Sequence, residues 1–328
     1  MAGRRAVASA AMASITPPDG WTYGVALPIH TLTATLADPW EHTATVEDLV
    51  RIARKAEETG HHFVGVTDHV AIPDNDYAAH MSTTWYDTVA TLSYLAACTS
   101  TVNLASVVWI AAYRHPLQTA KSFATLDHLS GGRAILGVGA GHVEAEFDAL
   151  GVDFEARGRL LDETLEAVRG AFADTYVSHS GEAFSYADVG VGPAPVRELP
   201  IWVGGSGRAA WRRAGRLGDG YVPMGNPVSQ YGEIIDTMNT AAAAAGREGA
   251  RFDIGFMPPW CYLLADTAPE GLPPVMACGA EPVAASIRAG RAAGANTFHL
   301  KFRARTLEEY LEQFDVFAES VVPLVNET

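Results

Sequence analysis

Short β-rich runs alternate with amphipathic helical stretches along almost the whole chain, and no other feature constrains its fold as tightly. Parallel strands need a long crossover, usually a helix, before they can pair, so this alternation marks βαβ units. Residues 23–27 read as a first strand and 45–59 as a helix stopped at Gly60, where glycine takes the left-handed capping conformation. Strand 62–67 follows, then a long polar segment to residue 86, a helix over 87–99 and a strand over 102–110. A helix opening at Pro116, a residue suited to the first turn, leads through Gly131-Gly132 into strand 134–138. Helix 157–172 places Leu160, Leu161, Thr164, Leu165 and Val168 on one face at helical spacing. The polar stretch 173–198 reads as a hairpin excursion. Strand 201–203, helix 209–217, strand 221–223, helix 231–245, a strand in either 252–257 or 260–264, helix 282–292, strand 297–301 and helix 307–321 complete the series. Eight right-handed strand–helix units close most simply into a (β/α)8 TIM barrel, with an open doubly wound sheet as the alternative.

Chemistry in such a barrel belongs at the C-terminal ends of the strands. Segments 70–86 and 258–279 leave that face and are expected to fold over it as lid-like insertions. Residues 1–20 read as a disordered leader and 21–328 as a single barrel domain. Arg4-Arg5 and the Ala-rich run behind them imitate a signal peptide, but the run is short and weakly apolar. With 328 residues, 48% of them hydrophobic and 19% charged, the chain can bury a large core without metal or disulfide staples. Its 38 acidic against 23 basic side chains leave a formal charge of -15, a field that repels polyphosphate backbones and anionic lipid. Neither nucleic acid nor a membrane is therefore an expected partner, and an anionic ligand needs a local site. Cys98, Cys261 and Cys278 are too few and too scattered for a zinc knuckle or a disulfide framework, which points to a cytoplasmic protein.

Three strand ends carry candidate chemistry. Asp68 and His69 follow the second strand directly. The carboxylate suits a hydrogen bond from a heterocycle N–H and the imidazole suits acid, base or polarising work near neutral pH, while the alternative makes Asp68 a turn cap and His69 a rim residue. Gly139, Ala140, Gly141 and His142 follow the fourth strand, where small residues let the backbone approach a flat ligand. This is not a dinucleotide fingerprint, since the third glycine position falls on Glu144 and no helix is expected to start promptly. His142 and Glu144 either reach into the mouth or, like Glu146, the glutamate stands as a solvated acid at a helix start. Gly204, Gly205, Ser206 and Gly207 lie between a strand and a helix, where free backbone N–H groups and the helix dipole suit one phosphate monoester. Segment 105–109 reads as ordinary buried strand. A metal site built from His61, His62, Asp68, His69 and His80 is disfavoured, because adjacent His61 and His62 point to opposite faces of a strand. No metal is expected.

Taken together, Thr67-Asp68-His69, the run from Tyr113-Arg114-His115-Pro116 to Ser130-Gly131-Gly132-Arg133, Leu136 to Gly141 with Glu144-Ala145-Glu146-Phe147 and Leu150-Gly151, Arg157-Gly158-Arg159, Pro200 to Gly205 and Gly218-Asp219-Gly220-Tyr221 resemble the bacterial luciferase-like oxidoreductases. More narrowly they resemble the branch that uses the deazaflavin coenzyme F420. The resemblance spans residues 23–324. It implies a deazaflavin lying across the barrel mouth against a bulge in the third strand with a non-prolyl cis peptide, matched here by Ser106 and Val107. It further implies Asp68 on the polar edge of the ring, Gly139 to Gly141 beside it and Gly204 to Gly207 around the tail phosphate, with His69 at the substrate end.

Two departures bear on the substrate. Deazaflavin-dependent dehydrogenases of this type carry a tryptophan four residues after that histidine, where this chain has Pro73, and a glutamate where it has His142. A sugar phosphate or simple alcohol is thereby disfavoured. His142 becomes a second candidate catalytic group, suited to donating a proton while a C=C, C=N or C=O bond is reduced. Tyr77, Trp85, Tyr86, Trp109, Trp260 and Tyr262 are candidates for an aromatic wall around a bulky, natural-product-like molecule. The first reading is F420-dependent hydride transfer; the alternatives are an FMN-dependent monooxygenase of the same family and a non-catalytic flavin or deazaflavin carrier. The family also implies a homodimer.

Overall fold

In the computed structural model, which describes residues 13–327, the strands close on one another. β1 (Thr22–Ala26), β2 (Phe63–Val66), β3 (Asn103–Ser106) and its continuation β4 (Trp109–Ile110) are followed by β5 (Ala134–Gly139). β6 (Tyr176–Ser180) and β7 (Ser185–Gly190) form an antiparallel hairpin in the expected excursion. β8 (Ile201–Gly204), β9 (Gly220–Val222), β10 (Asp253–Phe256) and, beyond a small parallel pair of β11 (Cys261–Tyr262) and β12 (Ala277–Cys278), β13 (Thr297–Leu300) complete the set. The order β3-β2-β1-β13-β10-β9-β8-β5, closed by β3 pairing with β5, is an eight-stranded parallel barrel. The open sheet is excluded.

Around it run α1 (Val46–Glu58), α2 (Thr88–Cys98), α3 (Pro116–Ser130), α4 (Glu144–Ala149), α5 (Arg157–Ala173), α6 (Arg208–Leu217), α7 (Tyr231–Ala244), α8 (Ala280–Ala292), α9 (Leu307–Val316) and α10 (Val322–Asn326). Local chemistry fixes their ends. Thr45 and Asp48 exchange side-chain and backbone hydrogen bonds in a capping box ahead of α1, Pro116 opens α3, and Gly131 closes it at φ 69°. Leu49, Ile52, Ala53 and Ala56 give α1 its buried face.

The structure settles one open choice, the place of the seventh strand, and departs from the sequence reading in three places. The third strand is not continuous over 102–110: it breaks at Val107 and Val108, which are joined by a cis peptide bond, one residue beyond the expected Ser106-Val107 pair. The seventh barrel strand lies at Asp253–Phe256, while Cys261 and Tyr262 belong to the excursion above it. Helix α4 starts at Glu144, directly after the glycine segment. Part of the expected leader, residues 14–16, is tied to the barrel. The leader's first 12 residues lie outside the described ones, but Ser14, Ile15 and Thr16 all hydrogen-bond the buried carboxylate of Asp253, which also accepts from Trp202 Nε1.

Strand alternation sorts the core into two shells. Phe63, Ala105, Ile135, Trp202 and Val222 fill the barrel, with Ile15, Val107 and Val108 packed against them, and the larger cluster lies between barrel and helices.

Candidate active site

The upper interior of the barrel is built from missing side chains. A Cβ on Gly65 would stand 2.6 Å from Val107, one on Gly139 2.5 Å from Val108, and one on Gly204 2.8 Å from Val108. These glycines make room for the two valines at the break in the third strand, which are partly exposed and form an apolar floor beneath the mouth. Val107 thus stands where expected. Ser106 does not: it is fully buried and its hydroxyl donates to the Gly137 carbonyl at 2.8 Å, so Val108 takes its place at the surface of the floor. Gly139 is buried under Val108, whereas Ala140 and Gly141 are partly open. Gly141 holds φ 85° with Phe147 and Ile110 against its missing side chain.

Asp68 is brought to the end of β2 as expected, but its carboxylate is already occupied. It accepts from Arg114 at 2.5 and 3.0 Å, from the Ile110 amide at 2.8 Å and from the Thr88 hydroxyl at 3.1 Å. Four donors fill the acceptor capacity of a carboxylate, so the expected bond to a ring N–H is not open to it. Arg114 lies flat over Trp109, 3.4 Å from the ring centroid, and this ion pair ties β2 to the end of the broken third strand.

His69, next along, is paired with Glu146. Nδ1 faces Oε2 at 2.9 Å, and the two side chains are 6% and 1% exposed. The other carboxylate oxygen accepts from the amides of Val70 and Ala71 and, at 3.4 Å, from the Tyr113 hydroxyl. Burial pushes the Glu146 carboxyl up, but the hydrogen bonds from His69, Ala71 and Val70 outweigh it and hold the group below the ordinary glutamate range. Glu146 is therefore not a solvated acid. The exposed one is Glu144, and two positions two residues apart on a helix cannot both face the barrel. The His69 ring also meets Trp85 at 4.5 Å and His142 at 5.5 Å. His142 stands at the exposed rim with its pKa lowered, by desolvation first and then by His69. Tyr77 reaches over it from the lid segment and donates to its carbonyl at 3.3 Å.

On the far side, Gly204, Gly205, Ser206 and Gly207 run from β8 into α6. Gly205 holds φ 143° against Ala210, and Gly207 has open space where a side chain would stand. No side chain among the described residues caps α6, and of its first amides Ala210 donates to the Gly207 carbonyl while those of Arg208 and Ala209 have no acceptor there. The expected aromatic wall is only partly assembled. Trp85 borders His69, and Trp260 lies under Arg303, 4.4 Å from its guanidinium carbon; Trp109 is packed on Phe123, and Tyr262 is buried.

His61 and His62 lie far from this mouth, against Tyr23, and among the described residues no metal-like group of three or more His, Cys, Asp and Glu is present. Sequence reasoning gave no role to Arg114, Tyr113, His30 or Lys301. The first two lie inside the quoted run 113–116, so position alone could have drawn attention to them.

Fold and mouth define a class: (β/α)8 barrels with a candidate site over a bulged third strand. A family model for luciferase-like monooxygenases matches residues 23–270, and the chain belongs to that family. Over 211 residues it is 33% identical to an F420-dependent glucose-6-phosphate dehydrogenase of Kineococcus radiotolerans, covering 62% of this chain and 61% of that one. Among solved structures it shares the fold of an F420-dependent secondary alcohol dehydrogenase in complex with an F420-acetone adduct, at TM-score 0.74 and 18% identity over 94% of this chain and 99% of the other. The monooxygenase RslO1 from Streptomyces bottropensis is similar at TM-score 0.74 and 24% identity, over 92% and 99%.

Proposed function

We propose that the protein is an F420-dependent oxidoreductase that moves hydride between the deazaflavin C5 and an organic substrate, reducing a C=C, C=N or C=O bond in a bulky molecule. The observation that carries this reading is the buried His69–Glu146 pair at the end of β2, beside the valine floor. The residues present fit such a cofactor. Val107 and Val108 offer an apolar, partly open surface for a flat ring, and the uncapped start of α6 at the open Gly207 offers N–H groups to a phosphate. Bound there, the deazaflavin would supply hydride chemistry at C5 with little reactivity toward oxygen.

The chain's own contribution is positional. Glu146 holds His69 by Nδ1, which leaves Nε2 for a substrate hydroxyl or carbonyl. His142, neutral near pH 7 in this setting, is the second proton-handling group. Trp85 of the lid segment covers His69, whose side chain is 6% exposed, and narrows access of water to it. The reading carries with it a homodimer working in the cytosol on a small molecule, with neither nucleic acid nor membrane as partner.

The similarity to RslO1 supports a second reading, an FMN-dependent monooxygenase. Titrating the purified chain separately with F420 and with FMN decides between them. Tight F420 binding is expected; tight FMN binding with none for F420 overturns the proposal, and binding without turnover on a broad substrate panel moves it to a non-catalytic carrier.

A further inference from the structure

One charged side chain rises at the barrel wall with no hydrogen-bond or ion-pair contact among the described residues. His299 faces inward, its ring 4.9 Å from Phe63 and 5.8 Å from Trp202, whereas Phe298 and Leu300 pack outward under the helices. By alternation Lys301 faces inward one layer higher, about 7 Å further up the strand, at the level of the mouth. The β1–β13 register pairs Val25 with Leu300, which sets Lys301 beside Ala26, a small residue that leaves space before the ammonium.

Lys301 is partly buried and its ammonium makes no hydrogen bond or ion pair with any described residue. The nearby carboxylates are engaged elsewhere. Asp38 accepts from Arg303 and the Ala304 amide, and Glu41 accepts from the amides of Asp38 and Ile29. Burial lowers the pKa of Lys301, and Glu41 and Asp38 pull it back up without contacting it. Nε2 of His299, 7% exposed, lacks a hydrogen-bond partner among the described residues, and the buried ring of His30, 1% exposed, lies close enough for the Lys301 charge to lower its pKa further. His30 belongs to the catalytic side, because its Nε2 accepts from the Thr67 amide at 3.1 Å, two residues before His69. The phosphate-sized helix start of α6 lies three strands away around the barrel.

A lone ammonium flanked by neutral imidazoles suits one negative charge; a phosphate dianion calls for more donors. We infer that Lys301 is the anion-binding, specificity-determining residue of the substrate pocket, and that the substrate carries a carboxylate held there while its reducible bond lies toward His69. The inference rests on the proposed function for the word substrate, but the site itself is tested without cofactor.

Benzoate, 2-naphthoate and indole-3-carboxylate are titrated into the full chain alongside their uncharged amides, read by tryptophan fluorescence. At least one acid is expected to bind about tenfold tighter than its amide. Lys301→Met should erase that preference, Lys301→Arg should keep most of it, and F420 affinity should stay within about twofold in both. No acid outperforming its amide, or a preference that survives Lys301→Met, overturns the inference. So does a Lys301→Met variant that loses F420 rather than the acid, which would place the anion on the cofactor. Should Lys301→Met not fold, acetic anhydride labelling of Lys301 in the unmodified chain replaces it: slowing by the acid supports the site, and an unchanged rate overturns it. A chain that prefers the acids yet takes up no F420 would sink the proposed function and leave the anion site standing.

Discussion

Glu146→Gln keeps the shape of the buried pair and removes its charge, so it separates what Glu146 does for the fold from what it does for His69. In the native pair, Oε1 accepts the amides of Val70 at 2.6 Å and Ala71 at 3.1 Å, and Oε2 faces His69 Nδ1 at 2.9 Å. An ionised carboxylate only accepts, so His69 donates from Nδ1 and keeps a lone pair on Nε2. A glutamine must turn its carbonyl to the two amides, because the opposite orientation sets NH2 against two donors. Its NH2 then faces Nδ1, and the ring proton moves to Nε2. Bonds to a charged acceptor contribute about 1.5–3 kcal/mol and neutral ones about 0.5–1.5, while the amide is cheaper to bury, so the net loss is about 1–2 kcal/mol. For a chain of this length that is about 2–3 °C in Tm. If His69 takes or gives a proton through Nε2, turnover falls about 100-fold to 10,000-fold. Thermal melting, ring 15N shifts of His69 and the single-turnover hydride-transfer rate read the three effects. The depressed pKa of Glu146 adds a pH signature: its contribution to stability is present above the ordinary glutamate pKa and is lost as pH falls through the folded value, a loss the variant lacks. A variant with unchanged His69 tautomer and unchanged rate would refute the assignment of Glu146 as the group that orients His69.

Gly207→Asp puts a capping carboxylate into open space at the start of α6; it should raise stability by about 0.5–1 kcal/mol while weakening F420 binding about tenfold or more, and unchanged affinity places the phosphate elsewhere. Arg114→Leu leaves the buried Asp68 carboxylate without its ion-pair partner and should cost about 3–5 kcal/mol in denaturant unfolding, where a loss under about 1 kcal/mol would mean that Asp68 is solvated. His30, His61 and His299 are buried with pKa values pushed down to about 4, about 3 and about 4, by desolvation first. Between those values and the unfolded value of about 6.5 the unfolded chain binds more protons, so stability falls as pH drops below about 6.5. At pH 5 each of these three histidines should cost about 2 kcal/mol, and His61→Phe should flatten the slope of a pH series of melts by its own share, about 2 kcal/mol between pH 6.5 and 5.

How much of this was legible in the sequence depended on whether the cause was local. The strand–helix alternation, the Pro116 helix start and the Gly60 and Gly131 stops are local chemistry, and they read correctly. The break at Val107 and Val108 is not local. Two β-branched residues in an apolar run read as strand, and what opens it is the space left by Gly65, Gly139 and Gly204 on three other strands. Asp68 shows the same limit from the other side. Its place at a strand end was legible, but its engagement by Arg114, 46 residues on, was not. Glu144 stood between two readings and Glu146 was read only as a solvated acid, until the short helix α4 turned Glu146 inward and Glu144 outward.

The two candidate anion sites differ in kind, and with the charge of -15 they make one kinetic test. The global field repels an approaching anion at a distance, where salt screens it over about 8 Å at physiological ionic strength. Lys301 and the α6 amides act at contact, inside a partly closed mouth where screening is weaker. Raising salt should therefore remove more repulsion than attraction. Association of an acid with the barrel mouth should speed up between about 0.05 and 0.5 M salt, opposite to the usual slowing of oppositely charged partners, while its dissociation changes little. Stopped-flow binding of 2-naphthoate measures both. An association rate that falls with salt would mean that the positive groups at the mouth, and not the net charge, govern the approach of anions.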